Sequence, residues 1–218
     1  MNKNTFSYSI LSLTGLIFLF LLYQYSVDTL NPFKIIFLSI LIMICFLGIL
    51  ASIYPTCCLR FFNIEKTSIS ECEIRIINYD GHHPDCGSFK DHVFNFKNKK
   101  YCVGCSGLLT GAFLAILTCL DYFFYGTFEL IFWLGVIIVL VSLTQLIFFN
   151  LENKWIRFLS NLGLVWGSSL ILIGILEYSN FFIAVYFLFL IFAWILTRTA
   201  LSKENHDRIC DKCLDLRN

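Results

Sequence analysis

Apolar residues fall along this chain in six long unbroken runs: Phe6–Tyr23, Phe33–Ile53, Ser106–Tyr125, Leu130–Phe149, Phe158–Leu176 and Phe181–Thr197. Each is 17 to 21 residues long, about what a helix needs to cross the hydrocarbon core of a bilayer (roughly 17–25 residues). Backbone N–H and C=O groups find no partner in lipid, so a spanning segment must close its own hydrogen bonds as a helix or join a closed barrel. Barrel strands alternate apolar and polar residues over about ten positions, and these runs do not alternate. The pattern predicts an all-α membrane protein, a bundle of six transmembrane helices. The first run follows Lys3 but has a long apolar core and no small-x-small site after it, so it is expected to stay as a span and not to act as a signal peptide.

The polar positions between the runs are unevenly shared. Residues 24–32, 126–129 and 177–180 form short connections, whereas residues 54–105 form a long loop and residues 198–218 a tail. The expected organisation is helices one and two in 1–53, a His/Cys-rich loop in 54–105, helices three to six in 106–197 and a tail in 198–218. Of the 16 Lys and Arg residues, all but Lys34 lie on the segments that share a side with the N-terminus. The positive-inside rule then places the loop and both termini in the cytosol, with the bundle in the cell membrane. Composition agrees: 58% of residues are hydrophobic, 24 are Phe, and only 14% are charged, against about 25% in a soluble domain. The net charge of +1 identifies no partner beyond the bilayer, and nothing points to nucleic acid. Asp121 is the acid expected inside the spans, near the end of the third, with Gln145 and Asn161 as packing polars. So few intramembrane charges argue against a solute transporter. Gly107-x-x-x-Gly111 and Gly163-x-x-x-Gly167 have the spacing that lets helices approach closely.

The chemistry is concentrated in the loop. His83 and Cys86 are separated by two residues, as are Cys102 and Cys105, with fifteen residues between the pairs. This H-x2-C-x15-C-x2-C spacing is close to that of paired zinc knuckles. Zinc takes four N or S donors in a tetrahedron, and two intervening residues let one tight turn aim both side chains at one ion. His92-Val93-Phe94-Asn95-Phe96 alternates as a strand does, Lys97–Lys100 suits a turn, and Tyr101-Cys102-Val103 suits the returning strand. Glu71–Ile77 is a candidate third strand. The loop is therefore expected to be a small zinc-ribbon-like β-containing unit with His83, Cys86, Cys102 and Cys105 as metal ligands. His82 or His92 can substitute for His83. The tail adds Cys210 and Cys213, with His206 four residues before the first of them, as further or separate ligands. In a reducing cytosol clustered cysteines read as metal ligands or redox thiols, not disulfides. Cys45 and Cys119 fall inside spans and read as small hydrophobes. Cys57 and Cys58 follow the second span, at a position suited to acylation. Cys72 has no assigned role.

At the loop the sequence resembles an uncharacterised family of predicted archaeal and bacterial multi-pass membrane proteins, whose pattern is C-H-Q-x-x-x-R-S-F, a spacer, then P-x-C-x-R-C-x-G-I-Y-x-G entering a helix. The matching stretches are His82-His83-Pro84, Gly87-Ser88-Phe89, and Tyr101 to Gly111. His82 stands where the family has its first Cys, Gly87 and Gly104 where it has Arg, and Cys86 is placed to compensate. The resemblance implies a His/Cys site in a multi-pass protein and brings no reaction with it. Gly81-His82-His83-Pro84-Asp85-Cys86 is also similar to the Asp-His-His-Cys loop of protein S-acyltransferases, without the direct His-His-Cys junction that would set an imidazole against a thiolate.

These features lead to the expectation of a non-enzymatic scaffold or accessory membrane protein whose cytosolic loop is folded by zinc and recruits a cytosolic protein partner. The alternatives are a membrane thiol enzyme, either a dithiol oxidoreductase using Cys102 and Cys105 or an acyltransferase using Cys86, and a small-solute transporter.

Overall fold

In the computed structural model, residues 3–25, 33–53, 79–80, 83–84, 92–96, 99–148 and 153–215 are described. Among the described residues there are six helices: α1 (Lys3–Gln24), α2 (Lys34–Ile53), α3 (Val103–Tyr125), α4 (Leu130–Phe148), α5 (Lys154–Tyr178) and α6 (Phe181–Asp215). All six are long and apolar enough to cross a membrane. Between α2 and α3 lie two small antiparallel hairpins, β1 (Tyr79–Asp80) with β2 (His83–Pro84), and β3 (Val93–Phe96) with β4 (Lys99–Cys102).

Local chemistry sets the helix ends. Asn153 caps α5, its side-chain oxygen accepting from Trp155 N–H at 2.9 Å; this satisfies one of the amides a helix start leaves open. Asn180 does the same for α6 through Ile183 N–H at 3.1 Å. Gly126 ends α3 at φ +74°, its N–H returning to Tyr122 O at 2.9 Å, a backbone state open to glycine but not to a branched residue.

The helices alternate in direction. The starts of α1, α3 and α5 meet the ends of α4 and α6 at one end of the bundle, as contacts such as Ser12–Thr197 and Ser160–Gln145 show. Both hairpins join this end through α3, which is therefore the hairpin end. At the far end Tyr23 stacks on Phe132 with centroids 3.6 Å apart, and Phe33 tilts against Phe181.

α5 is the hub, buried along most of its length and packed chiefly on α3 and α4. Glycines make this possible. A Cβ on Gly111 of α3 would stand 2.7 Å from Leu162 O of α5, and one on Gly107 would collide with Phe158 O. On the other side, a Cβ on Gly135 of α4 would lie 2.8 Å from Gly167 O, and Gly163 and Gly167 face Ser142, Ile138 and Val139. Both small-x-x-x-small pairs thus sit at helix crossings where van der Waals contact drives association without help from water. α1 packs instead on α6 along a polar seam. Ser12 Oγ and Thr197 Oγ1 are 2.7 Å apart, Thr197 donates to Tyr8 O at 3.1 Å, and Tyr186 OH donates to Gly15 O at 3.0 Å. α2 lies on α3, with Cys45 and Cys119 buried in the core as expected.

Three element bounds differ from those the sequence suggests. The sixth run reads as the shortest, ending at Thr197 with a tail beyond it, yet α6 is one helix of 35 residues that takes in most of that tail. Its continuation beyond Thr197 is mostly polar in sequence, so the apolar run stops where the helix does not. The boundary between loop and third span, set at residue 106, falls three residues earlier because α3 begins at Val103. Lys99 and Lys100, expected in the turn, begin strand β4. The proposed strand at Glu71–Ile77, and Cys57, Cys58 and Cys72, lie outside the described residues.

The far end holds the charge pair the sequence did not suggest. Lys34, the one basic residue on the sparsely charged side, donates to Glu177 Oε2 at 2.6 Å, and Tyr122 OH donates to the same oxygen at 2.7 Å. One carboxylate thereby ties the start of α2 to the ends of α3 and α5. Asp121, the acid singled out from sequence, is exposed. Both members of the Lys34–Glu177 pair keep about a third of their side chains open, 28% and 33%, so the pair contributes modestly. Glu177→Gln is expected to lower stability in detergent by roughly 0.5–1 kcal/mol. Glu177→Leu, which also strands the Tyr122 hydroxyl, should lower it more. Equal melting curves for all three proteins would remove the clasp from the account.

Candidate functional site

The functional residues gather at the hairpin end. Alternation in Val93–Phe96 suits a strand, and it pairs with β4 in the register Val93↔Cys102, Phe94↔Tyr101, Asn95↔Lys100 and Phe96↔Lys99. Phe94 anchors the hairpin to the start of α5, its ring 5.3 Å from Trp155 and 6.1 Å from Phe158. The strand then hands Cys102 directly to α3. Cys102 is the N-cap, in extended conformation at φ −64° and ψ 125°. Val103, Gly104 and Cys105 are the first three helical residues. An N-cap side chain and the side chain three residues on lie over the same first turn, so both sulfurs belong to one corner of the molecule. Both residues are partly exposed and both are thiols, not a disulfide.

Around this corner stands a polar group drawn from three other elements. His92, 8% exposed at the start of the hairpin, has its Nδ1 2.6 Å from Arg157 Nη1 of α5. A guanidinium can only donate, so His92 Nδ1 accepts and the ring proton of the neutral imidazole sits on Nε2. A metal reaching His92 through Nδ1 would have to displace Arg157. Asn161, 4% exposed, donates from Nδ2 to Arg157 O at 2.7 Å and accepts from Arg198 Nε of α6 at 2.8 Å. These parts meet around Gly104, where an added Cβ would make only ordinary contacts. A Cβ there would lie 3.7 Å from Arg198 Nη2, 3.8 Å from Asn161 Nδ2 and 4.0 Å from Cys102 Sγ. Ser160 and Gln145 close the neighbouring crossing at 2.8 Å.

Of the ligands expected from sequence, Cys102 and Cys105 are brought together. His83 lies in β2, opposite Asp80 of β1, and β1 runs beside β4, so the two hairpins are neighbours. Cys86 and His82 lie outside the described residues. His206, Cys210 and Cys213 lie on the backbone of α6, their side chains outside the described part. Among the described residues no three of His, Cys, Asp and Glu gather in a metal-binding group. The hairpin expected from the alternation at His92–Phe96 is present; a zinc-ribbon arrangement of four ligands is not shown. Residue patterns missed Arg157 and Arg198 as parts of the site and took Asn161 for simple packing. The available signal was position: Arg157 and Arg198 flank apolar runs on the same expected side, and a buried amide near them is suited to orient both.

Comparison with known protein families, with characterised proteins and with solved structures finds no match to this chain.

Proposed function

We propose that this is a multi-pass membrane protein, with its hairpin end and both termini in the cytosol, whose hairpins are held by a structural zinc ion and which serves as a scaffold or accessory protein for a cytosolic partner. The observation that carries this reading is the placement of Cys102 and Cys105 at the N-cap and third position of α3. Two thiols in the first turn of a rigid helix, fed by a tight hairpin, form half of a tetrahedral sulfur-rich donor set with little conformational freedom left to lose. His83 of β2 and Cys86, separated from it by two residues in the sequence, would supply the other half. Zinc in such a set supplies folding energy and no redox chemistry. The orientation is supported by the basic residues, which all but avoid the far end.

Purified protein in detergent tests this. About one zinc per chain is expected by elemental analysis, falling below a tenth of that in Cys102→Ser and Cys105→Ser while the helical circular dichroism persists. The competing reading is a dithiol oxidoreductase, favoured by a C-x-x-C placed at a helix start. Zinc-free wild-type protein from zinc-supplemented cells, with a Cys102–Cys105 dithiol that oxidises and re-reduces reversibly, would replace the first reading with the second.

A further inference from the structure

We infer that the β3–β4 hairpin and the first turn of α5 form a docking surface for the headgroups of anionic phospholipid, with Tyr101 and Trp155 as its aromatic anchors and Lys99 and Lys154 as its charge contacts. This rests on the membrane-spanning reading of the six helices and not on the zinc reading.

Helix length sets the level of this surface. α5 has 25 residues, which at about 1.5 Å per residue makes it about 37 Å long. The hydrocarbon core of a bilayer is about 30 Å thick, or about 40–45 Å with its headgroup layers. The first turn of α5 therefore lies among headgroups when the helix spans the bilayer. The hairpin is held at the same level by its rings. Phe94 packs 5.3 Å from Trp155 and 6.1 Å from Phe158, and Trp155 meets Phe158 edge-on at 6.3 Å. A segment that the sequence assigns to an aqueous loop thus belongs, by its packing, to the membrane interface.

The chemistry of the surface suits that level. Opposite residues of an antiparallel pair share a face. The register therefore puts Phe94, Tyr101, Phe96 and Lys99 on one face of the hairpin, and Val93, Cys102, Asn95 and Lys100 on the other. The first face is aromatic, and Trp155 continues it. Trp155 is 65% exposed and Tyr101 47%. Trp and Tyr, each with an apolar ring and a polar tip, are the residues that gather where hydrocarbon meets headgroups. Leu159, exposed one helical turn from Trp155, continues the surface along the span. Lys154 opens α5 directly before Trp155, and Lys99 shares the aromatic face by register. Cations at this level attract anionic headgroups. Cys102 takes the opposite face of the hairpin, so lipid contact and the thiol corner do not compete for one side.

Full-length protein is reconstituted in phosphatidylcholine vesicles in which the same minor fraction of lipid carries bromine high on its acyl chains, either as phosphatidylcholine or as phosphatidylglycerol. The Trp155 signal is the fluorescence of wild type minus that of Trp155→Phe. Should Trp155→Phe fail to fold, Trp155→Tyr serves for the subtraction. Both brominated lipids are expected to quench this signal, phosphatidylglycerol at least about two-fold more strongly at low salt, where surface charge is least screened. The preference should fall to parity at high salt and in the double variant Lys99→Gln/Lys154→Gln. Equal quenching by the two lipids in wild type, or a preference that survives in the double variant, overturns the inference. So does a Trp155 signal that neither lipid quenches, the result expected where protein covers the patch. Protein that fails to float with the vesicles overturns the spanning reading itself.

Discussion

Gly111→Leu is expected to take the helical bundle apart at its centre, lowering stability by about 3 kcal/mol or more. The cause is geometric. Even a Cβ at this position would stand 2.7 Å from Leu162 O and 3.1 Å from Leu162 Cα of α5. These are backbone atoms, which cannot rotate aside as a side chain would. α3 and α5 must therefore separate, and the close contacts at Gly107, where Phe158 O faces α3, are lost with them. Overpacking a core ordinarily costs about 1–3 kcal/mol; moving two backbones apart along a shared crossing puts this substitution at the top of that range or above it. Gly48 of α2 supplies the control, because an added Cβ there meets nothing within 4 Å. Gly48→Leu should be neutral or slightly stabilising through helix propensity, by up to about 1 kcal/mol. Unfolding in mixed detergent–SDS micelles, followed by circular dichroism and by size-exclusion profile, measures both. A Gly111→Leu protein that unfolds at the wild-type midpoint would mean that α3 and α5 do not cross where described.

The second large effect is expected at Trp194. This side chain is 1% exposed. It stacks edge-on against Phe187 at 5.7 Å and points its indole N–H toward Ser12 O at 3.4 Å. It therefore fills the seam between α1 and α6. In a water-soluble core, Trp→Ala costs about 3–5 kcal/mol. Part of that is transfer from water, which contributes less when the separated helices still rest in lipid. The lost packing remains, and about 2–4 kcal/mol is expected for Trp194→Ala on this ground. The damage should be local. α1 should loosen first, seen as faster amide hydrogen exchange through residues 6–20 and little change in α3 or α4. Trp194→Phe keeps much of the volume and should lose less than half as much. An unchanged exchange pattern in Trp194→Ala would show that α1 is held by other means.

Much of this architecture is legible in residue order, and the parts that are not have physical reasons. The six spans are visible because lipid imposes one rule on every residue of a run, so each run reports its own length. Val93, Phe94 and Phe96 report a strand because alternation is local. The C-x-x-C is equally visible, but not its seat on the helix: Val103-Gly104-Cys105-Ser106 is too small and mixed for hydropathy to separate loop from first turn. α6 outlasts its apolar stretch because residues such as Lys203, Glu204 and Arg208 favour helix without being apolar. The contacts that shape the site were hidden for another reason. Lys34 finds Glu177 across 143 positions, and Arg198 finds Asn161 across 37. Pairings of that kind are settled by which helices become neighbours, and neighbour choice depends on glycines whose role appears only once a partner backbone is in place.

The enclosure of α5 bears on how the protein is made. Of the six spans it is the least apolar and the most surrounded by protein, with Ser160, Asn161, Ser168 and Ser169 all turned away from the surroundings. Released alone into acyl chains, it would enter hesitantly, because polar side chains weigh against membrane insertion. Translation runs from the N-terminus, so a ribosome delivers α3 and α4, the two walls of its berth, before α5 emerges. The order of the segments along the gene thus matches the order in which shelter is needed, and a permuted chain that presents α5 first is the version expected to stall at the translocon.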